Sequence, residues 1–386
     1  MRRLLNWLSH KRFPYEPLIT VTVSRSRILH NLKEFSKLIP EGYVVPVLKS
    51  NAYGHGLFEV AKILSNDPHI PFFAVDSYFE AVALRARRIK TPLLIIGYNR
   101  SRTIMGSNLK NTAFAVTSLE TLKELKDVSH TIYIHLKFDT GMRRQGLMPA
   151  EMEEAIGIVK DNPYILLRGI ATHFCDADNA DESFTEAQIA SWNSIVKRMK
   201  IEFPDIWYAH AAATDGSRFS CDIRGNVVRL GIGLYGLSDN EHLRKTLDLQ
   251  PALEMRTIIT GLKDLKVGET VGYGNTFKAP KDMRIATIPV GYFEGLDRRM
   301  SNNGSIQVGP DNAACPIVGR VSMNITTIDV TDVPSAANLK IGSPVKVISN
   351  TASDPNSITA IAKRCGTISY EIAVRIPAHL KRVVID

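Results

Sequence analysis

Short apolar runs rich in β-branched and aromatic residues recur through the first two-thirds of the chain. They read VVPVL (44–48), FFAV (72–75), PLLIIG (92–97), AFAV (113–116), IYIHLKF (132–138), LLRGIATHF (166–174), WYAHAA (207–212) and VVRLGIGLYG (227–236). Runs of this length and composition predict buried strands. Between most of them, apolar residues recur at i, i+3 and i+4, which predicts helices over 57–65, 77–87, 118–128, 150–161 and 186–199. Asp76-Ser77 and Thr117-Ser118 stand where N-caps are needed. Strands alternating with helices imply βαβ units and a parallel sheet. Eight such units predict an α/β fold of the (β/α)8 TIM type, assigned to 23–245, with an open doubly wound sheet as the competing arrangement.

The pattern changes near residue 250. Short strand-like runs separated by Gly, Pro, Asn and Asp follow one another: MRTIITGLKDL, MRIATIPVGY, GSIQVG, PIVGRVSMNITTIDV, PVKVIS and a final VVID. They predict a mostly antiparallel β domain over 246–386, with one helix-like stretch at 357–366. Residues 1–22 are assigned to an N-terminal segment that packs with this second domain.

Composition narrows the picture only modestly. The chain has 386 residues, 44% hydrophobic and 23% charged, as in an ordinary soluble protein. No window reaches the roughly 18 uncharged apolar residues of a membrane span. The basic start MRRLLNWLSHKRF is broken by His10, Lys11 and Arg12 before an apolar core forms, which argues against a signal peptide. Cys175, Cys221, Cys315 and Cys365 are far apart, with no metal-ligand spacing, so four reduced thiols, no metal and a cytoplasmic location are expected. The net charge of +9 is scattered, with only short clusters such as LRARRIK (84–90), and no nucleic-acid partner is expected.

Ionisable residues fall where the predicted strands end: Lys49, then Lys137, Asp139, Arg143 and Arg144, then His173, Asp176 and Asp178, then His210 and Thr214, then Arg229. Barrel enzymes gather their chemistry at that end. A semi-buried lysine with cationic neighbours is a candidate to bond an aldehyde cofactor. Backbone amides around Gly231-Ile232-Gly233, with hydroxyls from Tyr53 and Thr214, suit a phosphate. A lysine beside a phosphate cradle points to pyridoxal phosphate.

KSNAYGHG (49–56) closely resembles the signature of the alanine racemase family around its pyridoxal-phosphate lysine. IHLKFDTGMRRQG, GIATHFCDAD, HAAATD, VVRLGIGLYG, VGYGNTF, IPVGYFEGL, GRVSMN and GTISYEI resemble that family's blocks in the same order. The resemblance implies a pyridoxal 5'-phosphate enzyme that interconverts L- and D-alanine. It also implies a homodimer with sites at the interface and a role in supplying D-alanine for peptidoglycan. By the same resemblance Lys49 and Tyr273, the latter from the partner subunit, are the two catalytic bases. Lys49, Tyr53, His173, Thr214, Arg229, Gly231, Ile232 and Tyr370 bind the cofactor, and Arg144, Met323 and Tyr292 meet the substrate. Lys137 matches a lysine that is carbamylated in many members, and Asp178, Arg298, Arg320 and Ile368 match an entrance corridor.

The chain departs from the family at Ser50 (usually alanine), Ala213-Thr214 (asparagine-serine), Glu294 (aspartate), Asn324 (aspartate) and Arg143 (glycine). Those positions bear on substrate range, and a racemase for serine or for several amino acids is the alternative. A decarboxylase of similar plan would not need Tyr273, and a cofactor carrier would not need the second domain. The side chains of Glu294 and Arg143 are expected to be solvated.

Overall fold

The computed structural model describes residues 16–386, so the residues before Glu16, most of the predicted N-terminal segment, lie outside it. The chain divides into two compact units. One covers Ser24–Ala252; the other covers Leu253–Ile385 with the described residues before Ser24.

In the first unit eight parallel strands close into a barrel. They are β2 (Tyr43–Pro46), β3 (Phe73–Val75), β4 (Leu93–Ile95), β5 (Thr112–Val116), β6 (Ile132–Lys137), β7 (Ile165–Ala171), β8 (Tyr208–His210) and β9 (Val227–Leu230). The strands from β3 to β8 form one sheet in chain order, and β2 pairs with β9. A parallel bridge between Val47 and Ala74 joins β2 to β3. Backbone bonds from Asn226 to Ala209 and from Arg229 to Ala212 join β9 to β8 and complete the circle. The open-sheet alternative is thereby excluded.

Local chemistry explains the connections. Ser77 and Glu80 form a reciprocal capping box at the start of the helix Tyr78–Ala86. Ser118 accepts from the Thr121 amide and starts the helix Leu119–Glu124. The helix Arg25–Ser36 is capped by Ser24 and buries Ile28, Leu32 and Phe35. Phe35 is fully buried against the turn after β9, where a Cβ on Gly233 would lie 2.5 Å from its ring. Burying such a ring contributes about 1.5–3 kcal/mol.

The second unit is built on antiparallel strands. Its six-stranded sheet contains β1 (Thr20–Ser24), β10 (Leu253–Ile258), β15 (Ser305–Val308), β16 (Ala313–Pro316), β18 (Pro344–Ile348) and β19 (Lys381–Ile385). A three-stranded sheet holds β11 (Gly261–Leu265), β14 (Met283–Ile288) and β17 (Thr326–Asp329). β12 (Thr270–Val271) and β13 (Phe277–Lys278) make a short hairpin. The predicted helix is present as Ile358–Arg364, followed by a second, Ser369–Val374, which the β-rich texture hid. Among the described residues no helix is long and apolar enough to cross a membrane.

Candidate active site

Lys49 follows fully buried Leu48 at the C-terminal end of β2. The four residues after it, Ser50, Asn51, Ala52 and Tyr53, have φ of 55°, 56°, 52° and 51° and make a left-handed turn. Left-handed helical backbone costs roughly 1–2 kcal/mol per L-residue, so the surroundings must hold it. Ala52 N donates to Leu48 O at 2.9 Å, and the Asn51 side chain accepts from Leu57 N at 3.0 Å. Glu80 Oε1 accepts from Ser50 N at 2.7 Å, while Oε2 accepts from Asp76 N and Ser77 N at 2.8 and 3.2 Å. One carboxylate therefore caps a helix and clamps the turn that presents Lys49. Gly54 ends the turn with φ 84°.

Across the mouth, Arg229 is buried and its two terminal nitrogens are fully engaged. Nη1 donates to His210 Nδ1 (2.8 Å) and His210 O (2.6 Å). Nη2 donates to Thr172 O and Ala211 O (both 2.8 Å) and to His173 Nδ1 (3.1 Å). Among the described residues Nε–H alone has no partner. Burial lowers the Arg229 pKa to about 10, so it keeps its proton at neutral pH. Burial, with Arg229 beside them, holds His173 and His210 well below the usual imidazole range. Both rings are therefore neutral acceptors at Nδ1. His210 Nε2 then donates to His135 Nδ1 at 2.8 Å. Gly169 makes room for this, since a Cβ there would lie 2.6 Å from His135 Nδ1.

At the end of β6, burial and the nearby Arg229 and Arg144 charges lower the Lys137 pKa to about 8. The Asp139 carboxylate, although burial opposes its charge, is held ionised by amides from Arg143 (3.1 Å), Gly141 (2.8 Å) and Arg144 (3.1 Å). It thereby ties down the loop carrying Arg144, whose guanidinium is exposed. Arg143 is also exposed, as expected, and its φ of 57° explains why glycine suits that position.

Between these groups lies a cradle. A Cβ on Gly231 would come within 2.7 Å of Tyr53 Oη and 3.9 Å of Thr214 Oγ1, so glycine leaves that space open. Gly231 offers no side-chain cap to the turn Ile232–Tyr235, and Thr214 Oγ1 accepts from Gly233 N at 3.2 Å instead. Burial raises the Tyr53 pKa far above its ordinary value, so its hydroxyl stays protonated and able to donate.

Lys49, Tyr53, Lys137, Arg144, His173, Thr214, Arg229, Gly231 and Ile232 are thus all at the C-terminal ends of barrel strands. Tyr273, Tyr292, Met323 and Tyr370 belong to the second unit. Tyr273 is 71% exposed on a tip framed by Gly272 and Gly274, whose φ values are 76° and 72°. Tyr292 and Met323 lie on neighbouring stretches of backbone: Tyr292 N donates to Ser322 O and Phe293 N to Met323 O, both at 3.0 Å. Tyr370 is half-buried in the helix Ser369–Val374. Of the corridor residues, Asp178 is exposed in the first unit, and Arg298, Arg320 and Ile368 are exposed in the second. Glu294 is not solvated. It is 6% exposed, because its carboxylate accepts from Gly291 N (2.8 Å) and Asn324 Nδ2 (2.6 Å). Two of the family departures therefore bond to each other: an amide now faces a carboxylate.

Sequence reasoning did not single out Glu80 or His135, and it placed His210 at a strand end without a role. The Ser77-x-x-Glu80 spacing carries a signal for the first as a capping box. The histidine pair, 75 residues apart, carries none.

The chain has close relatives. Residues 23–239 match the family model "Alanine racemase, N-terminal domain" and residues 252–384 match "Alanine racemase, C-terminal domain". A Methanococcus maripaludis protein named alanine racemase is 33% identical over 373 residues, covering 95% of this chain and 98% of its own. One from Syntrophobacter fumaroxidans is 35% identical over 361 residues, covering 91% and 93%. Among solved structures, alanine racemase from Bacillus anthracis with bound L-Ala-P superposes with a TM-score of 0.86 at 30% identity, covering 97% and 96%.

Proposed function

The chain belongs to the alanine racemase family, and from that premise we propose that it interconverts L- and D-alanine with pyridoxal 5'-phosphate, using Lys49 and Tyr273 as opposed bases in a homodimer. The observation that carries the reading is Lys49 beside an open glycine cradle and a buried, fully braced arginine. The residues fit the cofactor. Lys49 would hold its aldehyde carbon, Tyr53, Thr214, Gly231, Ile232 and Tyr370 its phosphate, and Arg229 Nε–H its ring nitrogen. When bound, the cofactor spreads the negative charge left at the substrate α-carbon.

The protein side of the chemistry follows from named groups. Lys49 Nζ takes or returns the α-proton on one face, and Tyr273 Oη of the partner subunit does so on the other. Arg229 keeps its proton, so it would donate to the ring nitrogen without transferring that proton. Neutral His173 holds the hydrogen-bond network between Arg229 and the bases. Arg144 and the Met323 backbone hold the substrate carboxylate. Tyr292 and Tyr370 narrow the entrance. Lys137 reacts as its neutral amine with carbon dioxide, releasing one proton and leaving a carbamate that positions Arg144. The exposure of Tyr292, Phe293, Met323 and Ile325 side by side supports a second copy covering that surface. The reading places the protein in the cytoplasm, supplying D-alanine for peptidoglycan.

The test is chiral chromatography of a panel of L-amino acids incubated with the protein and pyridoxal phosphate. D-Alanine should dominate, with some D-serine, because an apolar wall discriminates by only about 1–3 kcal/mol per methylene. Lys49→Ala should abolish both D-alanine formation and the visible absorbance of bound cofactor. No D-alanine from wild type, or undiminished activity in Lys49→Ala, would overturn the proposal.

A further inference from the structure

At the opposite, N-terminal end of the barrel lies a cavity of about 190 Å³ lined by Phe72, Tyr133, His135, Arg168, Trp207 and Tyr208, among others. Of its polar lining, which includes Asn111 and Thr112, two groups are unusual. Arg168 is half-buried, with its guanidinium carbon 3.9 Å from the Trp207 ring centre and 4.8 Å from that of Tyr133. No carboxylate lies within salt-bridge distance of it among the described residues, and none lines the cavity. His135 is only 2% exposed and borders the cavity, yet its Nε2 has no partner among the described residues.

The tautomer of His135 is dictated from the far end of the barrel. Arg229 only donates, so His210 accepts at Nδ1 and carries its proton on Nε2. That proton is given to His135 Nδ1, which leaves the His135 proton on Nε2. The cavity therefore presents a guanidinium and an imidazole N–H, both donors, within an aromatic wall formed by Phe72, Tyr208 and Tyr133.

We propose that this basal cavity is a binding site for a small aromatic monocarboxylate, whose carboxylate pairs with Arg168 and accepts from His135 Nε2–H. Size, charge and wall agree. A cavity of about 150 Å³ holds a benzene ring, and an arginine held flat by two rings is oriented for a bidentate carboxylate. An amino acid is disfavoured, because its ammonium would meet no carboxylate there. The site is separate from the one at Lys49, and the inference does not depend on the reaction proposed for that site.

Benzoate is the probe, titrated calorimetrically into the cofactor-loaded protein with saturating alanine present. One benzoate should bind per chain, and benzamide at least tenfold more weakly. Arg168→Met should weaken benzoate at least tenfold, and Ala113→Leu, which fills the cavity from its wall, should do the same if the first variant does not fold. Equal benzoate affinity in the folded variants, equal affinity for benzamide, loss of binding when alanine saturates the protein, or no saturable binding would each overturn the proposal.

Discussion

Replacing Glu80 tests how the lysine turn is held. Its carboxylate accepts from three backbone amides, those of Ser50, Asp76 and Ser77. Loss of a capping interaction costs roughly 1 kcal/mol, and a hydrogen bond to a charged group contributes about 1.5–3 kcal/mol. Glu80 is half-buried, so water recovers part of that. A net loss of about 2 kcal/mol is expected for Glu80→Ala. For a unit the size of Ser24–Ala252 this corresponds to a fall of about 4–8 °C in thermal midpoint. Glu80→Gln keeps one carbonyl acceptor, which serves either the cap or the turn, and should fall between. The second effect is specific. Freed from Ser50, the turn relaxes towards right-handed backbone and carries Lys49 off the mouth, so affinity for pyridoxal phosphate should fall at least tenfold in Glu80→Ala. Differential scanning fluorimetry of the cofactor-free protein and absorbance titration with the cofactor separate the two. A Glu80→Ala protein with an unchanged midpoint and unchanged cofactor affinity would refute the clamp.

Lys137 predicts a pH effect. Its folded pKa of about 8 lies below the roughly 10.4 of an unfolded lysine, so between those values the unfolded chain binds more protons and stability rises with pH. Lys137→Met should lack that rise; urea midpoints measured from pH 7 to 10.5 in carbonate-free buffer check it, and parallel curves would contradict the burial argument. Gly169→Ala places a Cβ 2.6 Å from His135 Nδ1 and 2.7 Å from Tyr208 O. It should cost about 1–3 kcal/mol by overpacking, read as a lower thermal midpoint, and an unshifted midpoint would show that the barrel yields there freely.

Much of the barrel was legible because each strand is a compact apolar run and each following helix has its own amphipathic face. The helix Arg25–Ser36 is less legible: Ser24 and the Ile28, Leu32, Phe35 spacing announce it, but its polar majority masks the stripe. Within the site, residues next to turns and strand ends were legible from type and place. The His135–His210 contact was not, since its partners meet only through barrel closure. The expectation of a solvated Glu294 failed for a related reason: beside the local Gly291 amide three residues back, the Asn324 side chain brings a donor from 30 residues along the chain. That tertiary donor helps turn a surface-type residue into a buried one, and no local pattern reports it.

The left-handed turn after Lys49 also acts as a filter on sequence variation. Four successive positions at φ near +50° exclude valine, isoleucine and threonine, whose branched Cβ atoms crowd the carbonyl in that backbone. Proline is excluded as well, by its fixed negative φ. What remains is a short alphabet of small, amide-bearing or otherwise unbranched side chains, and Ser-Asn-Ala-Tyr is one spelling of it. Ser50, whose side chain is at an exposed position, is then an ordinary choice: the backbone constrains the kind of residue there, and solvent leaves the particular one open.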